Sequence, residues 1–197
     1  IVFGTPVAYL LAHRRFWLKR VVDILIDMPV VLPPSVAGIA LLMAFGRRGL
    51  LGGWLNALGV QIAFTPLAVV MAQAFVAAPF FVKAAAIGFG HVDPELHQAA
   101  SLDGAGRWQA FRHVTVPLSW PALLGGAAMM WARAIGEFGA TIIFAGNFPG
   151  RTQTMPLAIY LGFEFDLTLA LTLSVILVAL SIAILVIMKG LLHRAVV

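Results

Sequence analysis

Apolar residues run along this chain in blocks too long and too unbroken for the single faces of a soluble fold, and the polar positions collect in the gaps between them. The first block, residues 1–12 (IVFGTPVAYLLA), would rise only about 18 Å as a helix against a hydrocarbon core of about 30 Å. It reads as the tail of a spanning helix in an N-terminally truncated chain. It lacks the basic leader and small-residue cleavage site of a signal peptide. The second block runs from about Ile24 to Phe45 and is interrupted by Asp27, Pro29, Pro33 and Pro34, which predicts a kinked or broken helix. The carbonyls those prolines leave free cannot be satisfied by lipid, so this span should face protein or a water-lined cavity.

Residues 46–63, rich in glycine and carrying Trp54, read as an external loop. Thr65 and Pro66 then give an N-cap and first-turn signal for a third span reaching about Phe89, interrupted by Gln73, Pro79 and Lys83. The chain turns polar from Gly90 to His113 and apolar again from about Leu118 to Ile135 and from Leu167 to Met188. The pattern predicts an all-α membrane protein, a polytopic bundle of about five transmembrane helices with the first incomplete, forming one domain over residues 1–197.

Composition supports that reading. Hydrophobic residues make up 61% of the chain and charged residues 11%, against about 45–50% and about 25% in soluble domains. There are no cysteines, so disulfides, thiolate metal sites and cysteine catalysis are excluded. The net charge of +5 is scattered between apolar runs and forms no stripe, so no nucleic-acid partner is expected. Arg14, Arg15, Lys19, Arg20, Lys83, Arg107, Arg112, Lys189 and Arg194 fall on one side of the predicted spans. By the positive-inside rule that side is cytoplasmic, in a prokaryotic inner membrane crossed several times, and it holds the polar loop at 90–117. Arg47, Arg48 and Arg151 fall on the other side.

Within the polar loop, Asp93, Pro94 and Glu95 supply an N-cap, a first-turn proline and an acid at the positive end of the helix dipole. A short helix should begin there and end near Asp103 and Gly104. A second amphipathic piece follows, with Trp108, Phe111 and Val114 at spacings of three. Two short helices joined at a glycine have the form of a docking element.

Residues 98–117, QAASLDGAGRWQAFRHVTVP, resemble the EAA loop of ABC importer permeases. In that pattern EAA is followed by three residues, a Gly, nine more residues, and then Ile, any residue, Leu and Pro. Ala99, Ala100, Gly104 and Pro117 match in register, Val114 and Val116 take the aliphatic positions, and Gln98 stands where the family has Glu. The stretches at 29–52 and 132–160 are similar to the molybdate/tungstate branch, itself akin to the sulfate branch. The resemblance implies a permease that forms a homodimer with a second copy of itself around an oxyanion pathway. It further implies two cytoplasmic ABC ATPase subunits that use ATP and Mg, an extracytoplasmic oxyanion-binding protein, and membrane lipid around the spans. It assigns ATPase coupling to Gln98, Ala99, Ala100, Asp103, Gly104 and Pro117.

The remaining candidates come from the residues themselves. Arg133 and Glu137 lie four apart on one helix face, and charges at a membrane helix centre cost about 2.5–3.5 kcal/mol each unless paired or wet. They form either a structural ion pair or part of the translocation pathway and its gate, together with Gly136, Gly139 and Thr141. In the external loops, Arg47, Arg48, Asn147 and Arg151 could meet an anion or an acidic face of the binding protein, or be plain solvated residues.

His91, Asp93, Glu95 and His97 look like a metal cluster but lack the spacing of a zinc helix, and capping explains the two acids, so no metal is expected. With no P-loop and no hydrolase motif, the chain is not expected to be an enzyme or to hold a cofactor of its own. The function that the resemblance implies is ATP-driven import of molybdate or tungstate by alternating access. Sulfate or thiosulfate permeation, a passive channel, and a secondary transporter are the alternatives.

Overall fold

A computed structural model describes residues 1–14 and 17–196, with side chains as far as residue 191. Arg15, in the basic cluster, and the side chain of Arg194 lie outside the described residues. The helices are α1 (Gly4–His13), α2 (Lys19–Val31), α3 (Pro34–Phe45), α4 (Gly52–Ala57), α5 (Pro66–Gly90) and α6 (Pro94–Leu102). They continue with α7 (Arg107–Ala110), a π turn (Phe111–Thr115), α8 (Val116–Ile135), α9 (Gly139–Phe144), α10 (Met155–Phe165) and α11 (Leu167–Val196). Among the described residues three helical stretches are long and apolar enough to cross a bilayer: Pro66–Gly90, Arg107–Ile135 and Leu167–Leu191.

The proline-rich second block breaks at Leu32 and Pro33 into α2 and α3, with Pro34 opening the second helix. The glycine-rich 46–63 segment contains the short helix α4. The amphipathic piece from Arg107 is not a separate helix, because it joins the fourth span through the π turn. The cause is Pro117. It has no N–H to extend the α ladder, and just before it the Val116 N–H donates to the Phe111 carbonyl, five residues back. The resulting 29-residue helix would measure about 43 Å, so its start extends beyond the hydrocarbon. The short helices α9 and α10 were not signalled by hydropathy, since Gly146, Pro149, Gly150 and Pro156 break up the apolar pattern there.

Backbone contacts divide the chain into two compact units. In the first, comprising residues 1–26, 78–130 and 185–197, Ala8, Leu11, Phe81, Ala85, Phe89 and Leu123 form the buried core. Here α5 and α8 meet through small residues four apart on each helix, Ala84 with Gly88 and Ala122 with Gly126. A Cβ on Gly126 would stand 2.8 Å from the Ala84 Cβ, and one on Gly88 would collide with Ala122. Small residues of this kind let membrane helices come close enough for dispersion and weak backbone contacts to hold them. Lys83 and Asp23 pair at 2.6 Å beside this contact.

The second unit comprises residues 27–77 and 131–184 and has a core of Ala37, Leu41, Ala68, Ala72, Val76 and Phe144. In it α3 packs on α9. A Cβ on Gly38 would lie 2.8 Å from Ile143 Cβ, and one on Gly139 would lie 2.8 Å from Pro34 Cβ.

These close approaches set an expectation for stability. Gly126→Leu forces α5 and α8 apart and should cost about 1–3 kcal/mol, whereas Gly125→Leu, with nothing within 4 Å of its Cβ, should stay within about 0.5 kcal/mol of the parent. Thermal unfolding of the detergent-solubilised protein measures both, and equal losses would contradict the packing.

Candidate functional site

Three groups of residues stand out, and the first is the polar segment. Asp93 Oδ1 accepts the Glu95 N–H at 2.9 Å and starts α6 as the sequence predicts. The helix closes with the Ala105 N–H donating to Ala100 O at 2.9 Å and the Gly104 N–H to Ser101 O at 3.1 Å. These are the two bonds of a Schellman stop, with Gly104 in the left-handed region at φ +82°. No residue of α6 is buried, so a nine-residue amphipathic helix stands with its surface free. Gln98, Ala99, Asp103, Gly104 and Pro117 are exposed and Ala100 is half-buried. Gln109 Oε1 accepts the Gly106 N–H at 2.8 Å and starts α7 directly after the stop. Asp103, Gly104, Gln109 and His113 border an open depression of about 380 Å³.

The histidines of this segment are engaged separately. His91 Nδ1 lies 2.7 Å from the Ile87 carbonyl, and His97 Nε2 lies 3.4 Å from the buried Thr115 Oγ1 in the π turn. No local pattern points to this last contact, which ties α6 to the π turn across 18 residues. No group of three or more metal-ligating side chains converges among the described residues.

The second group sits where α8 ends at Ile135 and α9 begins at Gly139. Glu137 lies in the gap with its side chain 1% exposed, and Arg133, 29% exposed, approaches its Oε2 at 2.7 Å. That approach is an ion pair without hydrogen-bond alignment, since Oε2 has no aligned donor. The other carboxylate oxygen, Oε1, accepts the Ala140 N–H at 2.8 Å, so the same side chain caps α9. Gly139 is pressed against Pro34 and Ser35, while a Cβ on Gly136 would meet Ala132 O at an ordinary 3.8 Å. Thr141 is fully buried and its hydroxyl has no hydrogen-bond partner.

The third group is in the loops around α4 and between α9 and α10. Arg47 and Arg151 both line one cavity of about 460 Å³, together with Asn56, Gln61, Phe64 and Phe148. Arg47 Nη2 donates to Gln61 Oε1 at 2.9 Å. Arg48 is exposed and does not line this cavity. Asn147 also lies apart from it, with Nδ2 3.5 Å from Leu157 O and Oδ1 buried without a partner. Hydropathy gave no reason to single out Gln61 or Phe64. Their significance comes from which residues the fold brings together.

The sequence profile of the family described as "binding-protein-dependent transport system inner membrane component" matches residues 4–197. A molybdenum transport system permease protein, ModB, from Haemophilus influenzae is 43% identical over 155 residues, covering 78% of this chain and 68% of the relative. The ModB of Mycobacterium tuberculosis is 44% identical over 161 residues, covering 82% of this chain and 61% of the relative. The chain thus spans about three-fifths to two-thirds of the length of these two relatives. Among solved structures, a chain of the MetNI methionine ABC transporter superposes with a TM-score of 0.72 at 20% identity, over 98% of this chain and 86% of that one.

The Glu137 geometry makes the two halves of its ion pair unequal. Arg133→Gln leaves a carboxylate buried with one backbone partner, and should destabilise the protein by about 3 kcal/mol. Glu137→Gln keeps an oxygen to cap Ala140 and leaves an arginine that is partly exposed and not fully buried, so it should cost less than half as much. Chemical denaturation of both variants checks this, and the reverse order would contradict it.

Proposed function

The chain belongs to the family of binding-protein-dependent transport system inner membrane components, and we propose on that footing that it is the permease subunit of an ATP-driven molybdate importer. The observation that carries the proposal is α6 with its Schellman stop. It is an exposed, capped helix on the side that the positive-inside rule makes cytoplasmic, in the register QAA, three residues, Gly104. A membrane helix bundle has no internal need for a polar helix that buries none of its residues. A cytoplasmic ATPase needs such a knob in order to move the spans. The chain itself has no P-loop, so hydrolysis takes place on the partner.

In this reading Gln98, Ala99, Ala100, Asp103 and Gly104 enter a cleft of the ATPase, and Pro117 with its π turn joins that docked end to the long fourth span. Two ATPases closing on ATP draw two copies of α6 together, and the permease dimer rocks between its two open forms. The α11 surface, unburied along its apolar window, is available for lipid and for the second copy. Arg133, Gly136, Glu137, Gly139 and Thr141 form the gate, where the helix break provides a hinge and the buried Thr141 hydroxyl is free to meet an anion once the gate moves. Because Arg133 neutralises it, Glu137 does not repel a dianion. The relatives named as molybdenum permeases favour molybdate as cargo, delivered by an extracytoplasmic binding protein.

The test is ATP hydrolysis by the permease–ATPase complex in lipid, with binding protein loaded with molybdate, tungstate or sulfate. Molybdate-loaded protein should stimulate hydrolysis most. Asp tolerates the left-handed backbone better than most residues, so Gly104→Asp should leave the fold intact and abolish the stimulation by placing a new charge in the docking surface. Glu137→Gln should retain stimulated hydrolysis and lose at least about tenfold in transport. Hydrolysis indifferent to both permease and anion would sink the coupled-importer reading and favour a channel.

A further inference from the structure

The cavity between the two external loops has the features of an anion site. Its lining brings together Arg47 and Arg151, 104 positions apart in sequence, with the side-chain amides of Asn56 and Gln61, and includes no Asp or Glu among the described residues. Its volume of about 460 Å³ lies within the range of small-molecule sites, about 300–1,000 Å³. A guanidinium has five N–H donors, and the bond to Gln61 Oε1 at 2.9 Å uses one of them while aiming the fork.

The backbone behind the site is locked. A Cβ on Gly52 would collide with the carbonyls of Gly46 and Arg47, one on Gly49 would collide with Met43 O, and Asn56 Nδ2 donates to Arg47 O at 3.2 Å. Across the cavity Phe64 takes φ +61°, a conformation that costs a bulky residue about 1–3 kcal/mol and that persists only where the surroundings enforce it. The surroundings here are Phe148, whose ring meets that of Phe64 edge-on at 6.5 Å, and the bond from the Phe64 N–H to Phe144 O at 3.1 Å. Two cations, an aimed fork and a strained wall exceed what a solvated loop requires.

We propose that this cavity is an external waiting site for a free tetrahedral oxyanion, held between the guanidinium groups of Arg47 and Arg151 after the binding protein releases it. The proposal rests on the importer reading and adds to it a second, weaker anion site on the permease itself. The cavity is wider than one such ion and open to water, so the ion keeps part of its hydration shell. Binding there is weak enough to pass the ion onward.

The test uses the permease–ATPase complex in nanodiscs without binding protein, and radiolabelled molybdate in equilibrium dialysis. The parent complex should bind molybdate saturably. Arg47→Gln and Arg151→Gln should each weaken that binding about tenfold, while Lys189→Gln, an equal loss of charge in the C-terminal tail, should not. Capture of the complex by loaded binding protein should be unchanged in all three variants. No saturable binding by the parent overturns the proposal. So does unaltered molybdate binding with lost capture in the arginine variants, which would make the cavity a receptacle for a carboxylate of the binding protein. The importer reading is scored separately, by whether loaded binding protein stimulates hydrolysis in the parent complex.

Discussion

A helix that begins among apolar surroundings exposes amide hydrogens that they cannot accept, and the Glu137 carboxylate resolves that difficulty in the second unit. One oxygen receives the Ala140 N–H at the head of α9 and the other faces the Arg133 guanidinium. The capping oxygen lets the chain break between Ile135 and Gly139. The break allows α9 to lie on α3, and it puts Gly139 so close to Pro34 that no side chain would fit. The cation balances the charge of a carboxylate that the fold buries. Capping, charge balance and close packing therefore depend on one side chain, and the core built on Ala37, Leu41 and Phe144 depends on that arrangement in turn.

The first unit is organised differently. Its helices are held by small residues at matched spacing, with the Lys83–Asp23 pair beside them, and its polar segment is finished at both ends by hydrogen bonds of its own. A helix that closes itself with a Schellman stop holds its last turn with hydrogen bonds of its own.

Much of this was legible in the chain. Asp93, Pro94 and Gly104 marked the start and stop of α6 because capping and left-handed backbone are local chemistry. Pro33 and Pro34 marked the break between α2 and α3 for the same reason. The spacing of Arg133 and Glu137 on one helical face pointed to their pairing. What hydropathy could not show was α9 and α10, whose apolar residues are too few between glycines and prolines to register as spans. Nor could it show the continuity of α7 with α8, since the period of a helix is lost across a π turn. The meeting of Arg47 and Arg151 is a property of the tertiary fold, invisible to any local window.

The π turn at Phe111–Thr115 carries one more consequence. A π turn holds an extra residue per revolution, so everything beyond it is shifted by one place, about 100°, in rotational phase. The face that α7 presents is thereby set independently of the face that α8 presents to its neighbours. Removing a single residue from the turn would leave a helix on both sides and every cap in place, yet it would swing the Trp108 side of α7 by more than a quarter turn. In a rigid helix, orientation at one end dictates orientation at the other. Here the length of one turn acts as a vernier between the aim of α7 and the packing of α8.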